Sequence, residues 1–357
     1  MLSGSQLGAK TEIDRALENF LADTRVNLGA IDPHLAPVSA ALTEFLSGGK
    51  RLRPLFAVAG YVGAGGAIHA GALEPIYKAV TSLELLQACA LIHDDMMDGS
   101  DTRRGAPSMH RRFESEHRDR SGLGDSENFG DAAALLLGDL ALVLSSQALN
   151  SSGITSEQWS AVNPIFDTMK VELMAGQYLD MHAGSRANVS IDDALKIAIY
   201  KSGKYTIERP LHFGGALALC APELLTIYSD YGIPLGVAFQ LRDDLLGVFG
   251  DSTLTGKPAG DDLLEGKQTA LISYALSHME SNDVREFGEM FGNRNASAAH
   301  IERMRELINT SGAVQFIEKI IDEKTTLALQ ASADSRITPS GQELLAELAL
   351  AATRRSA

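Results

Sequence analysis

The stretch "LIHDDMMDGSDTRRG", residues 91–105, closes an apolar run with four aspartates in eight positions, followed by two arginines. Asp94 and Asp98 are four residues apart, and Asp101 lies three further on. On a continuing helix all three point one way, where like charges repel and weaken the helix. Such a cluster is either a solvated acidic cap or a place where a cation supplies compensation. Taken alone, the D-D-x-x-D spacing favours the cap, because charged runs are usually solvated faces.

A second pair shifts the balance. Asp243 and Asp244 stand in "FQLRDDLLGVFGD", again after an apolar helix, with Gln240 a turn earlier and Asp251 beyond. Two independent caps about 150 residues apart are hard to explain. Facing each other across a bundle, the pairs would hold several Mg²⁺ ions around a diphosphate, since Mg²⁺ takes oxygen ligands alongside substrate phosphates. Cations are interleaved with them: Lys50, Arg51 and Arg53 in "GGKRLRP" (48–54), then Arg103, Arg104, Lys201, Lys257 and Lys267. At a net charge of −15, that pattern points to an anionic ligand bound partly through metal and partly by Arg and Lys.

The 357 residues are 45% hydrophobic, 22% charged and only 6% aromatic, with much Ala, Leu and Gly, which favours helix over sheet. The negative charge argues against general nucleic-acid binding. Cys89 and Cys220 lack metal-ligand spacing and read as reduced core residues of an intracellular, cytoplasmic protein. No basic start precedes an apolar run, and no stretch of eighteen apolar residues predicts a membrane span.

Helical spacing dominates, with long apolar helices over Glu74–Asp98, Asp131–Leu149, Glu157–Asp180, Ile191–Leu219 and Ala221–Phe249. Shorter, more polar helices follow from Thr269 to Ala352. Residues 111–130 read as a mobile polar loop and 250–269 as a second, Gly-rich loop. "GYVGAGG" (60–66) follows a helix and reads as a turn rather than a nucleotide loop. The expected architecture is all-α, one helical bundle over 1–357.

In order, GGKRLRP, DDMMDGSDTRRG, GQYLD, KSGKYT, FQLRDDLLGVFGD and GKPAGDDLLEGKQT resemble the trans-isoprenyl diphosphate synthases, the polyprenyl synthetase family, over about 48–269. In particular the set is similar to the bacterial geranylgeranyl and polyprenyl branch. The resemblance implies an isoprenoid-synthase bundle with a central cavity, acting as a homodimer. It implies Mg²⁺-dependent condensation of isopentenyl diphosphate with an allylic diphosphate (dimethylallyl, geranyl or farnesyl) through a carbocation. By the same resemblance Asp94, Asp95 and Asp98, with Asp243 and Asp244, would bind about three Mg²⁺ ions. Arg103 would hold the allylic diphosphate, while Lys50, Arg53, Gln87 and Arg104 would form the isopentenyl diphosphate pocket. Lys201, Ser202 and Gln240 would line the reacting carbons, Lys257 and Lys267 would cover the allylic diphosphate, and Gln177 and Asp180 would flank the metals. The chain departs from the family at Gly247, where the second motif usually ends in aspartate, and at Ser202, where threonine is usual. The first departure removes a carboxylate from the outer shell of the third ion, a place that Asp251 would serve through water.

Product length should depend on what lies below Asp94, where each helical turn descends about 5.4 Å. Short-chain members of the family place an aromatic four or five residues before the motif; here Ala90 and Cys89 are small. The pocket should then reach Leu86, giving a C20 product, geranylgeranyl diphosphate, or a longer polyprenyl chain if a neighbouring helix leaves a gap. Small residues at 89 and 90 equally allow close helix packing. A class I terpene cyclase shares an Asp-rich helix but has no need of GGKRLRP, and a silent partner subunit would be expected to lose an aspartate or arginine.

Overall fold

The computed structural model describes residues 4–186, 189–250 and 260–353, and these are almost entirely helical. The chain divides into two compact units: Met1–Pro164 with Pro210–Cys220, and Ile165–Arg209 with Ala221–Ala357.

The first unit is built on α1 (Gly4–Ile31), α2 (Ala36–Leu46), α3 (Leu52–Gly63), α4 (Ala70–Met97), α5 (Met109–Asp119) and α6 (Ser126–Asn150). Its core joins Leu17 and Leu21 of α1, Leu85, Ala88, Cys89 and Ile92 of α4, and Ala134, Leu137 and Ala141 of α6. These recur at three- and four-residue steps, the period of one buried helical face. Two glycines let helices pack closely. A side chain at Gly214, on α9 (Arg209–Leu217), would run into the Ala57 carbonyl, and one at Gly138 into the His93 ring.

Arg51 ties the same unit together through charge. Its backbone is left-handed (φ 53°), which turns the side chain inward just before α3. Nη1 donates to Glu84 at 2.7 Å, Nε to Asp14 at 2.7 Å and Nη2 to the Leu46 carbonyl at 2.6 Å. Burial opposes the Arg51 charge, but Glu84 and Asp14 outweigh it and raise its pKa. Glu84, a lone charge in the apolar run "TSLELLQ", is thereby explained.

In the second unit α10 (Pro222–Phe249) presents Val237, Ala238, Leu241, Leu245 and Val248 to a core completed by Leu271 and Ile272, Phe287, Leu307 and Ile308, and Ile317 and Ile321. The far side of α10 carries Gln240, Asp243, Asp244 and Gly247. The same unit holds the C-terminal part of α7 (Ser156–Gly184), α8 (Ile191–Ile197) and a π-helix over Ala198–Glu208.

Four expectations are corrected. Residues 111–130 are not a loop: α5 runs to Asp119 and α6 starts at Ser126. Helix α5 has little apolar stripe to read, because pairs such as Arg111–Glu114 and Arg112–Glu116 support it. The helix expected over Ile191–Leu219 is interrupted by the π-helix, which residue periodicity does not distinguish. Helix α6 is long and apolar enough by length and composition to cross a membrane, although much of it packs within the unit. Cys220, expected in the core, is only half-buried.

Removing one partner of a buried ion pair strands the other. Glu84→Ala should therefore lower stability by about 3–5 kcal/mol, read as a lower urea midpoint at unchanged slope. A midpoint equal to that of the parent chain would refute the role given to Arg51.

Candidate active site

In the first unit, helix α4 ends at Met97 with Asp98 as its cap, so Asp94, Asp95 and Asp98 occupy the final turn. Asp101 is not on this helix. It lies in the following turn and pairs with Arg111 at 2.7 Å. The segment then folds into a two-residue antiparallel ribbon, Thr102–Arg103 against Ala106–Pro107. Arg104 and Gly105 make its turn at positive φ (54° and 77°).

That ribbon returns Arg103 to the acidic turn. Its Nε donates to both oxygens of Asp95, at 2.7 and 2.9 Å, and Nη2 approaches Asp94 at 3.4 Å. Asp95 is 0% exposed, so its charge is compensated by the guanidinium rather than by water. Burial opposes the Arg103 charge, but Asp95 first, then Asp94 and Asp98, raise its pKa. Of the three motif aspartates, Asp95 is thus a structural partner of Arg103, while Asp94 and Asp98 are half-buried.

The basic groups of this unit also gather. Desolvation by the surrounding chain lowers the Arg104 pKa, and Arg103, Arg51 and Arg53 push the same way against Glu84. Nη1 of Arg104 reaches the Phe45 carbonyl at 3.4 Å, and the guanidinium lies over the Phe45 ring. Lys50 is exposed and Arg53 half-buried. Like-charged guanidiniums kept this close suit an anion with several oxygens.

Beneath Asp94 on α4, Ala90 and Gln87 are half-buried, whereas Leu86 and Cys89 are 0% exposed. Cys89 packs in the core with Ala134, Leu137 and Ala141 of α6. Its thiol lies 3.8 Å from His93 Nδ1, and burial raises it to about 12, so it is an inert packing group.

In the second unit, Gln240 Nε2 donates to Asp244 Oδ1 at 2.6 Å, which leaves the amide oxygen as its acceptor end. Burial pushes Asp244 up to about 8 against that bond, with Asp262, Asp243 and Asp180 adding to the rise. Lys201 Nζ meets Asp180 at 2.5 Å, from the π-helix to α7. A side chain at Gly176 would press on the Lys201 main chain, and Gly203 touches the Gly236 main chain. Lys201 and Ser202 are therefore set by backbone packing at a π-turn, a feature frequent at functional sites. A half-buried carboxylate, Glu172, grips both Lys204 (3.0 Å) and Arg209 (2.6 Å) around the same segment. Lys267 lies on Glu265 at 2.8 Å and Asp262 at 3.5 Å. Gln177 is half-buried on α7. Lys257 and Asp251 lie outside the described residues.

Carboxylate oxygens that hold one another's protonation up fit a hard divalent cation, which would relieve the crowding. Among the described residues no three acidic, His or Cys side chains form a ready-made cage. That suits Mg²⁺, which binds through one or two carboxylates plus substrate phosphates. Sequence reading missed Glu84, Glu172 and Asp262. The signals were a charge alone in an apolar stretch for Glu84 and, for Asp262, an aspartate already inside "GDDLLEGK"; Glu172, two residues after Lys170, offered none.

The geranylgeranyl pyrophosphate synthase of Corynebacterium glutamicum, solved with isoprenyl diphosphate and magnesium, is 39% identical; the match covers 98% of each chain at a TM-score of 0.93. The geranylgeranyl diphosphate synthase of Mycobacterium tuberculosis is 30% identical over 296 residues, 82% of this chain and 77% of that protein. The octaprenyl diphosphate synthase of Escherichia coli is 29% identical over 292 residues, 80% of this chain and 79% of that one. With residues 36–308 matching the family model described as polyprenyl synthetase, the chain belongs to the polyprenyl synthetase family and is a prenyltransferase.

Proposed function

We propose that this protein condenses isopentenyl diphosphate head-to-tail with an allylic diphosphate and releases geranylgeranyl diphosphate (C20). The observation that carries this reading is the pairing of a carboxylate-bearing helix end, on which Asp95 fixes Arg103, with the gathered guanidiniums around Arg104. Such a site takes one diphosphate through metal and another through guanidinium groups.

Asp94 and Asp98, with Asp243 and Asp244, would hold magnesium, which stabilises the departing diphosphate as the allylic C–O bond breaks. Arg103, fixed by Asp95, presents its remaining donors to that diphosphate. Lys50, Arg53, Gln87 and Arg104 bind isopentenyl diphosphate and orient its double bond toward the allylic carbon. Positive charge on that carbon is met by the Lys201 carbonyl, the Ser202 hydroxyl and the Gln240 amide oxygen. The proton lost at the end passes to the released diphosphate. Lys267, with Lys257, covers the allylic diphosphate. We further read the two units as one catalytic domain and place the reaction in the cytoplasm, where two free thiols persist.

Chain length follows from α4. Ala90, half-buried on the Asp94 side, admits the growing chain, and Leu86 forms the floor. Cys89 instead packs on α6. A homodimer accounts for α6, whose outer face exposes Leu136 (67%) and Val143 (63%) with Phe129 and Leu135. A stripe this apolar on one helix is a self-complementary interface rather than a solvated surface.

Three outcomes test this. Asp94→Ala and Asp243→Ala should each lower kcat by about 10²-fold or more, and EDTA should abolish turnover of isopentenyl plus farnesyl diphosphate. Turnover of geranylgeranyl diphosphate alone would instead mark a cyclase. Leu86→Ala should lengthen the product and Ala90→Phe shorten it, as resolved by chromatography, whereas Cys89→Phe should cost about 1–3 kcal/mol of stability by overpacking; identical product profiles would sink the floor assignment. Leu136→Asp with Val143→Asp should yield a monomer in sedimentation velocity, and an unchanged sedimentation coefficient would remove the α6 interface.

A further inference from the structure

Helix α7 meets the π-helix through Glu172, Gly176 and Asp180, which are spaced four apart and so share one face. Asp180 holds the Lys201 ammonium at 2.5 Å, and Gly176 admits the Lys201 main chain, on which any side chain would press. Glu172 acts on the other end of the segment. Its Oε2 accepts from Arg209 Nε at 2.6 Å, and its Oε1 accepts from Arg209 Nη2 at 2.7 Å and Lys204 Nζ at 3.0 Å. Burial opposes the Glu172 charge, but Arg209 and Lys204 outweigh it and lower its pKa. Glu208, which is buried, accepts from Ser229 Oγ of α10 at 2.7 Å and lies 3.3 Å from Lys204 Nζ.

The spacing of the two cations on Glu172 matters. Lys204 and Arg209 are five residues apart. On an α-helix such residues point about 140° apart, and only neighbours at three or four steps share a face. In a π-helix the main-chain bonds join residues five apart, so those residues stand nearly one above the other. One carboxylate that grips both therefore favours π winding over α.

We propose that Glu172 is a positioning residue for prenyl transfer: it keeps 198–208 in the π form and so aims the Lys201 carbonyl and the Ser202 hydroxyl. This deepens the reading of Lys201 and Ser202 as groups that meet the cationic carbon, and rests on it. Relaxation to α winding would turn both residues relative to Arg209 and point them elsewhere. Asp180 fixes the Lys201 side chain but not the winding, which is left to the Glu172 grip.

The test is steady-state turnover of isopentenyl plus farnesyl diphosphate, per mole of native protein, with thermal midpoints alongside. Glu172→Gln keeps the shape and removes the charge, and should lower kcat by about 10–100-fold. Both KM values should stay within about three-fold of the parent chain, because the groups it aims meet charge only in the transition state. Arg209→Lys keeps the charge but loses the two-bond fork. Its kcat should fall between those of the parent and Glu172→Gln, and it carries the test if Glu172→Gln does not fold. Joining Glu172→Gln with Arg209→Gln should cost no more than the worse single variant, as expected for one shared contact. A lower midpoint at parent-like kcat would mark a structural ion pair and overturn the role. A rise in KM at unchanged kcat, or additive losses in the double variant, would overturn it too. Ser202→Ala separates the two claims. If it lowers kcat while Glu172→Gln does not, only the assignment of Glu172 falls. If neither lowers it, the reading of this segment as lining the reacting carbons falls as well.

Discussion

The constraint on which this structure turns is the cost of placing carboxylates at the ends of apolar helices. Asp95 has no access to water, and an isolated buried carboxylate would be protonated or would destabilise the helix end. Arg103 prevents both. For Arg103 to reach back eight residues, the chain must reverse after Met97, and the ribbon at Thr102–Pro107 does this with Arg104 and Gly105 in left-handed conformations. The arginine then has a resident partner in Asp95, and its charge stays on at any pH at which the fold survives. A group fixed in this way loses little orientational freedom on meeting a diphosphate.

The second unit meets the same cost by another route. Among the described residues no arginine clamps Asp244; its hydrogen bond comes from a neutral amide, Gln240, and its neighbours include carboxylates. Its pKa near 8 records how poorly that surrounding tolerates the charge. A divalent cation reverses the balance, since a bound metal favours the charged form of every carboxylate around it. One acidic cluster is therefore held ready by protein cations, and the other would be completed by metal. Arg242, beside Asp243, does not alter this. It is turned to Glu318, at 2.6 and 2.7 Å, and to the Thr353 carbonyl at 3.0 Å, so it anchors α10 to the C-terminal helix Pro339–Thr353.

Helices and motifs were legible in the sequence because both are local. Apolar spacing located α4, α6, α7 and α10 to within a few residues, and the aspartate and arginine motifs stood in runs short enough to read. What periodicity could not carry was the partner of each charge. "GGKRLRP" offers three cations that look alike, yet Arg51 turns into the core toward Asp14 and Glu84 while Lys50 stays exposed. The choice is made by a positive φ at Arg51 and by carboxylates 33 and 37 residues away, which no local pattern contains. Helix α5 was missed for the converse reason: only Met109 and Phe113 anchor it in the core, ion pairs line the rest of its surface, and its polarity reads as loop.

Space was the other quantity hidden from the sequence, and glycine is where it matters most. Gly176 brings α7 onto the Lys201 main chain, and Gly203 with Gly236 closes the π-helix on α10. Each reads in isolation as a helix-weakening residue costing about 1 kcal/mol relative to alanine. In place, each sets the distance of a functional main chain or carboxylate, which an added methyl group would change. A motif read by residue type therefore scores Gly247 as a loss. The volume around it shows the Asp262 carboxylate in the place where a side chain would stand.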